Sequence, residues 1–155
     1  MERTGAPSRG IVGMFLLVVL LFVGMAQTPA HAATTLERQM LRLTNVSRER
    51  RDLHRVRLDN SRSDRARRHS VAMARYGKLY HTSDPTDFYL RGIRWQRWGE
   101  NVGDTGTGSD LSALQDAFMD SPDHRANVLD PKFERVAIGV VMRDGEAWVT
   151  LFFYA

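Results

Sequence analysis

Residues 136–153, VAIGVVMRDGEAWVTLFF, decide the architecture. Two β-rich runs, Val136 to Met142 and Glu146 to Phe153, flank the dipeptide Asp144-Gly145. That dipeptide is a strong signal for a tight hairpin turn, so the two runs are expected to pair antiparallel. Side chains alternate along a strand. Trp148, Thr150 and Phe152 should therefore share one sheet face, and Val149 and Leu151 the other.

Working outward, the chain upstream supplies helices to cover such a sheet. Leu36, Met40, Leu43 and Ser47 fall at helical spacing and predict a first helix over about 35–50. Residues 52–60 lack that period and read as a connector. A second helix is expected from about Ser61 to Gly77, with Ala66, Ser70, Met73, Tyr76 and Tyr80 as its apolar stripe and Gly77 suited to its carboxyl end. A turn-rich stretch, His81 to Pro85, follows, and Phe88, Leu90 and Ile93 should cover part of the core. Residues 93–98, IRWQRW, alternate apolar and polar and predict a half-buried strand. It leads into Gly99-Glu100-Asn101-Val102-Gly103. After a glycine-rich loop, 104–108, a third helix carries Leu111, Leu114 and Phe118 on one face. Ser121 and Pro122 suit the cap and first position of a short fourth helix, which Pro131 stops.

The chain of 155 residues has room for one domain. Arg3 and Arg9, the uncharged apolar run Ile11 to Ala26, and Ala30-His31-Ala32 have the order of a secretory signal peptide, with cleavage expected after Ala32. The run is shorter than the roughly 20 apolar residues of a membrane span. Residues 1–32 are thus read as a signal peptide and 33–155 as the domain, secreted to the extracellular space; membrane contact is expected only if the leader stays uncleaved. There is no cysteine, so the domain rests on its core alone, which suits bacterial export.

Residues 33–100 carry 16 basic and 8 acidic groups, residues 101–155 carry 4 and 9. The basic half reads as solvated helix surface or as a face for an anionic partner such as wall polymer or lipid headgroup. A nucleic-acid partner is not expected, because the arginines are not interleaved with aromatics as a single-strand binder needs.

Four histidines follow the leader. His69 lies on the second-helix stripe and reads as a hydrogen-bonded core residue; His54 reads as solvated. His81 leaves a helix into a polar loop, and His124 falls at the third position of a short helix, where the positive dipole end lowers its pKa. A neutral imidazole binds metal or acts as a base. Glu100 stands in a segment flanked by Gly99 and Gly103, and glycine there permits a tight backbone approach. The glycine-rich loop lacks the lysine and Ser/Thr of a phosphate-binding loop, and neither a Gly-x-Ser-x-Gly nor a cysteine nucleophile is present.

Five segments in order resemble one family. They are Ala66 to Ala74 (ARRHSVAMA), Tyr80-His81-Thr82, Gly99 to Gly103 (GENVG), Ser121 to Leu129 (SPDHRANVL), and Ile138-Gly139-Val140 with its closing aromatic strand. From about residue 36 to the end the chain resembles the bacterial CAP-superfamily (SCP) domain. The family also includes cysteine-rich secretory proteins, antigen 5 and plant pathogenesis-related proteins. The resemblance implies an α+β fold, a three-layer α-β-α sandwich with a small antiparallel sheet and a central cleft. It assigns His81 and His124 as the two cleft histidines and Glu100 as the acid of the GEN motif, with Asn101 and Ser121 beside them. In eukaryotic members two histidines and two acids can hold zinc or another divalent metal. Here the position of the second acid falls at Ser121, next to Asp120, which weakens the implied metal site.

Three functions remain open on sequence grounds. The first, favoured, is a monomeric, non-catalytic binding module for a lipid, small ligand or cell-wall component. Trp95 and Trp98 are expected either to line an apolar pocket for it or to pack in the core. The second is a metal-assisted hydrolase with His81 and His124 as ligands and Glu100 as general base. The third is a structural or host-interaction domain with an empty cleft.

Overall fold

The computed structural model describes residues 33–155. The leader, its apolar run and the cleavage after Ala32 lie outside the described residues. The elements run α1 (Thr35–Glu49), β1 (Arg57–Leu58), α2 (Asn60–Tyr76), α3 (Pro85–Leu90), β2 (Trp98–Asp104), α4 (Leu111–Asp120), α5 (Pro122–Leu129), β3 (Arg135–Arg143) and β4 (Glu146–Tyr154).

The hairpin forms as its sequence dictates. Asp144 and Gly145 have φ of 51° and 85°, the doubly left-handed turn whose twist matches the flanking strands. β3 and β4 pair antiparallel from Arg143↔Glu146 to Arg135↔Tyr154, and β2 joins the far side of β4 antiparallel. The strand order is β1-β3-β4-β2.

Alternation along the hairpin divides the core. Val136, Ile138, Val140, Val149, Leu151 and Phe153 meet Met40 of α1, Leu111, Leu114 and Phe118 of α4, and Val128 of α5. On the opposite face Ala137, Phe152 and Tyr154 meet Ala66 of α2 and Tyr89 and Leu90 of α3, while Trp148 joins Met73, Ala74 and Val102. The result is a three-layer sandwich.

Four local expectations are corrected. The connector contains a strand: Arg57 and Leu58 pair parallel with Arg135 and Val136, so the sheet is not wholly antiparallel. The 93–98 run is not a strand; pairing begins at Trp98, and the GENVG segment itself forms β2. The alternation is present, but Trp95 and Trp98 are 42% and 40% exposed, and of residues 93–97 only Gln96 and Arg97 make backbone bonds to the sheet side, to Ala155 just beyond β4. A short helix, α3, follows the turn-rich stretch because Asp84 caps it and Pro85 fits its first turn. Finally, the buried face of α1 is largely polar: Glu37, Met40, Thr44, Asn45 and Arg48, with Leu36 and Leu43 only partly buried.

That polar face is hydrogen-bonded throughout, as burial requires. Asn45 exchanges two bonds with the backbone of Val56, acting as a surrogate strand neighbour for the connector. Glu37 closes a capping box with Thr34 and receives Nε and Nη2 of Arg67 on α2 as a bidentate pair. α1 and α2 are thereby tied together around the sheet.

Candidate functional site

Glu100 is the hub. It lies on β2, which among the described residues is an edge strand of the sheet, and it is buried. Its register partner is Phe152, so its side chain shares the α2 face of the sheet. Three hydrogen bonds fix the carboxylate. Nδ1 of His81 meets Oε1 at 2.9 Å, the Thr82 N–H donates to Oε1 at 2.8 Å, and the Thr82 hydroxyl donates to Oε2 at 2.7 Å. The His81 ring itself is 61% exposed, so one edge is anchored and the rest faces solvent.

His69 enters the same site from α2. Its Nδ1 lies 3.3 Å from the Thr150 hydroxyl and 3.8 Å from Oε2 of Glu100, and its ring meets Tyr80 edge-on. It is buried and hydrogen-bonded, as a core histidine should be, yet its Nε2 has no partner. The Tyr89 hydroxyl is likewise buried without a hydrogen bond of good geometry, although Thr82 and Glu100 are close to it. Burial, then the Glu100 charge, pushes the Tyr89 phenol well above its ordinary pKa, so it stays protonated. Sequence reading set His69 aside as packing and passed over Thr82, Tyr89, Thr150 and Asn127. Only Thr82, adjacent to His81, carried a local signal.

The opposite face of β2 holds α5. Asn101 donates to the His124 carbonyl, and Asn127 donates to Oδ1 of Asn101 and, at longer range, to the Glu100 carbonyl. Asn101 is thus a brace under the cleft rather than part of its lining. His124 is half-buried with its ring edge-on to Phe118. Burial first, and the neighbouring His81 second, lower its pKa against the opposing pull of Asp123. Sequence position suggested the helix dipole as the cause; the structure names desolvation. Ser121 ends α4 and stands at the α5 N-cap, but its hydroxyl makes no cap bond, which corrects the capping role expected of it. Its hydrogen bonds are made by backbone atoms.

Gly99 explains the glycine at the head of GEN. A Cβ there would sit 2.2 Å from Oδ1 of Asn127. Gly99→Ala should therefore dislodge Asn127 from Asn101 and cost about 1–3 kcal/mol. In an Asn127→Ala background the same change should cost little, because the obstacle is gone. A double-mutant cycle by urea denaturation reads this, and additive costs would show that the two do not touch.

His69 and His124 also make stability depend on pH. Burial lowers both below the ordinary value of 6.5, and His81 lowers both further, while Glu100 opposes the shift of His69. The unfolded chain then binds protons that the folded chain refuses. Stability is full above pH 6.5 and drains as pH falls through the depressed values. A His69→Gln chain should show a shallower fall of the urea midpoint over that range; an unchanged slope would remove His69 from the account.

The metal that the family resemblance implies can be tested against these donors. Both oxygens of Glu100 are already hydrogen-bonded, and His81 turns its Nδ1 toward that carboxylate. Among the described residues no group of three or more His, Asp or Glu side chains is arranged to hold a metal ion. A catalytic zinc takes three protein ligands, and this arrangement does not supply them.

The profile of the cysteine-rich secretory protein family, CAP, matches residues 41–153. The Bacillus subtilis (strain 168) protein YkwD is 30% identical over 121 residues, covering 75% of this chain and 46% of YkwD. Among solved structures, an extracellular protein containing a SCP domain from Bacillus anthracis is 28% identical with a TM-score of 0.62, covering 77% of this chain and 40% of that one. A cysteine-rich secretory protein from Staphylococcus aureus shares the fold at 20% identity and a TM-score of 0.63, over 77% of this chain and 38% of that one. The chain spans less than half the length of each of these three. It belongs to the CAP family, as a domain of the bacterial SCP kind.

Proposed function

We propose that this chain is a secreted binding module whose β2-edge cleft, formed by His81, Glu100 and His124, holds a small ligand, lipid or cell-wall component without transforming it. The observation that carries this reading is the state of Glu100. Three hydrogen bonds, two of them from Thr82, occupy three of the roughly four lone-pair sites of the carboxylate, and they hold it as an anchor for His81. Beside it, His69 Nε2 and the Tyr89 hydroxyl give the cleft floor unsatisfied polar atoms, which are groups that call for a partner. Export is supported by the order of charge, apolar run and small residues in 1–32 and by the extracellular description of the Bacillus anthracis relative.

The test compares the chain with a His81→Ala/His124→Ala variant. Stability should fall by about 1–3 kcal/mol, because the buried Glu100 carboxylate loses one of its three hydrogen bonds, and the urea midpoint verifies that the variant is folded. Equilibrium titration with a fluorescent fatty acid and with soluble peptidoglycan fragments should show saturable binding of one probe, lost in the variant. Binding of neither probe overturns the reading. So does metal-dependent hydrolysis of either that Glu100→Gln abolishes.

A further inference from the structure

The arginine-rich surface plays no part in the cleft, and part of it forms a furrow of its own. Two cavities of about 450 and 540 Å³ meet at Ile93, Arg94 and Ala155. Arg135 and Tyr154 wall the first, Trp95 the second. A third, of about 410 Å³, adjoins at Glu134 and is lined by Arg57.

Three guanidiniums here lack a counterion. Arg57 and Arg135 are direct partners in the parallel β1–β3 ladder, where like charges side by side repel. Both are exposed, as is Arg94, and none of the three makes a side-chain hydrogen bond or ion pair among the described residues. Their neighbours differ: Arg91 pairs with Asp87, Arg97 with Asp130, Arg62 with Asp59 and Arg55 with Glu49. Asp59 is already engaged by Tyr154, Ser61 and Arg62. The Ala155 carbonyl oxygen accepts from Gln96 and Arg97. Among the side chains that line these cavities, Glu134 is left as one carboxylate against three cations.

The rim of this furrow is apolar. Trp95 is 42% exposed and Ile93 is partly buried next to it. A soluble polyanion would satisfy the arginines and leave the indole bare. An anionic lipid surface satisfies both, since guanidiniums pair with headgroup phosphates and an indole seats at the headgroup level. We propose that the furrow formed by Arg57, Arg94 and Arg135, with Trp95 at its rim, docks this domain on an anionic phospholipid surface. This contact is separate from the cleft and from the apolar run 11–26.

The test uses the full chain with vesicles of brominated phosphatidylglycerol or brominated phosphatidylcholine, read by tryptophan quenching. The run 11–26 is uncharged, but Arg3 and Arg9 ahead of it also favour anionic lipid, so the signal is the excess tryptophan quenching in phosphatidylglycerol that depends on the furrow residues. That excess should vanish in Trp95→Phe, although Trp98 and Trp148 remain. It should fall at least about tenfold in Arg57→Gln/Arg94→Gln/Arg135→Gln. The urea midpoint verifies that the triple variant is folded, and the single Arg94→Gln change serves if it is not. His81→Ala/His124→Ala should keep the full excess. Equal quenching by the two lipids, an excess that survives the arginine changes, or an excess lost with the cleft histidines would each overturn the proposal. So would binding of soluble polyphosphate through the same arginines with no excess at Trp95.

Discussion

Replacing Gly139 by alanine is expected to destabilise the domain by about 3 kcal/mol or more, at the upper end of overpacking costs. Gly139 lies in β3 opposite Thr150, on the face that α2 covers. A Cβ there would come within 2.2 Å of the Ala66 carbonyl carbon, 2.3 Å of the Arg67 nitrogen and 2.4 Å of the Ala66 oxygen. These are backbone atoms of a helix, so no rotamer change can relieve the clash; α2 must lift as a body. Lifting it would also strain the Ser70 hydroxyl bonds to the Gly139 carbonyl and Thr150, and the Ser63 hydroxyl bond from Ile138. It would further carry His69 away from Glu100. Urea denaturation should therefore show a lower midpoint, and histidine resonances of the cleft should shift. A loss below about 1 kcal/mol would mean that helix and sheet are not in van der Waals contact at this point.

Arg48→Met is expected to cost about 2–5 kcal/mol, through the loss of its hydrogen bonds to buried carbonyls. Arg48 is fully buried on α1, and its guanidinium donates only to backbone carbonyls: Nε to His54, Nη1 to Val128 and Asp130, Nη2 to Phe133. Val128 and Asp130 lie at the carboxyl end of α5, where orphan carbonyls and the helix dipole favour a cation. Burial pulls the Arg48 pKa down, with the Asp130 charge opposing, yet an arginine stays ionised. Methionine fills similar volume but strips the His54 and Val128 carbonyls of their partner, each costing on the order of 1 kcal/mol or more when left unpaired inside, and leaves Asp130 and Phe133 only the bonds from the Phe133 N–H and from Nε2 of His54. Because a domain of this size is stable by only about 5–15 kcal/mol, the variant should be near its unfolding limit. Arg48→Lys should recover part of the loss, since an ammonium reaches some but not all of these carbonyls. A cost under 1 kcal/mol for the methionine variant would show that water, not Arg48, serves the end of α5.

The legible part of this chain was the part governed by period and turn chemistry. Asp144-Gly145, the alternation of Val149, Thr150 and Leu151, the left-handed Gly77 at φ 59° and the face of α4 were all readable, because each depends on its own neighbours. The hidden part depended on partners far away in sequence. Arg48, Asn45 and Glu37 look like a solvated helix face until the carbonyls of Val128, the backbone of Val56 and the fork of Arg67 are in place. The 93–98 run has a strand's alternation, but only its end meets a neighbour, Trp98 opposite Tyr154 and Gln96 and Arg97 at Ala155, and local pattern carries no information on that. In the cleft, His81 and Glu100 were named from turn context and family likeness, and the structure joins them directly. His69 was placed correctly as buried and hydrogen-bonded, but its approach to Glu100 comes from the packing of α2 on β4, which no spacing reveals.

Thr82 and His81 hold Glu100 as part of a binding cleft rather than of a metal centre. Elemental analysis of the purified chain, dialysed without chelator, is the decisive measurement. Far less than one zinc or other divalent ion per chain is expected, with no change in His81→Ala/His124→Ala. One tightly retained ion per chain, lost in that variant, would make Glu100 part of a metal centre after all.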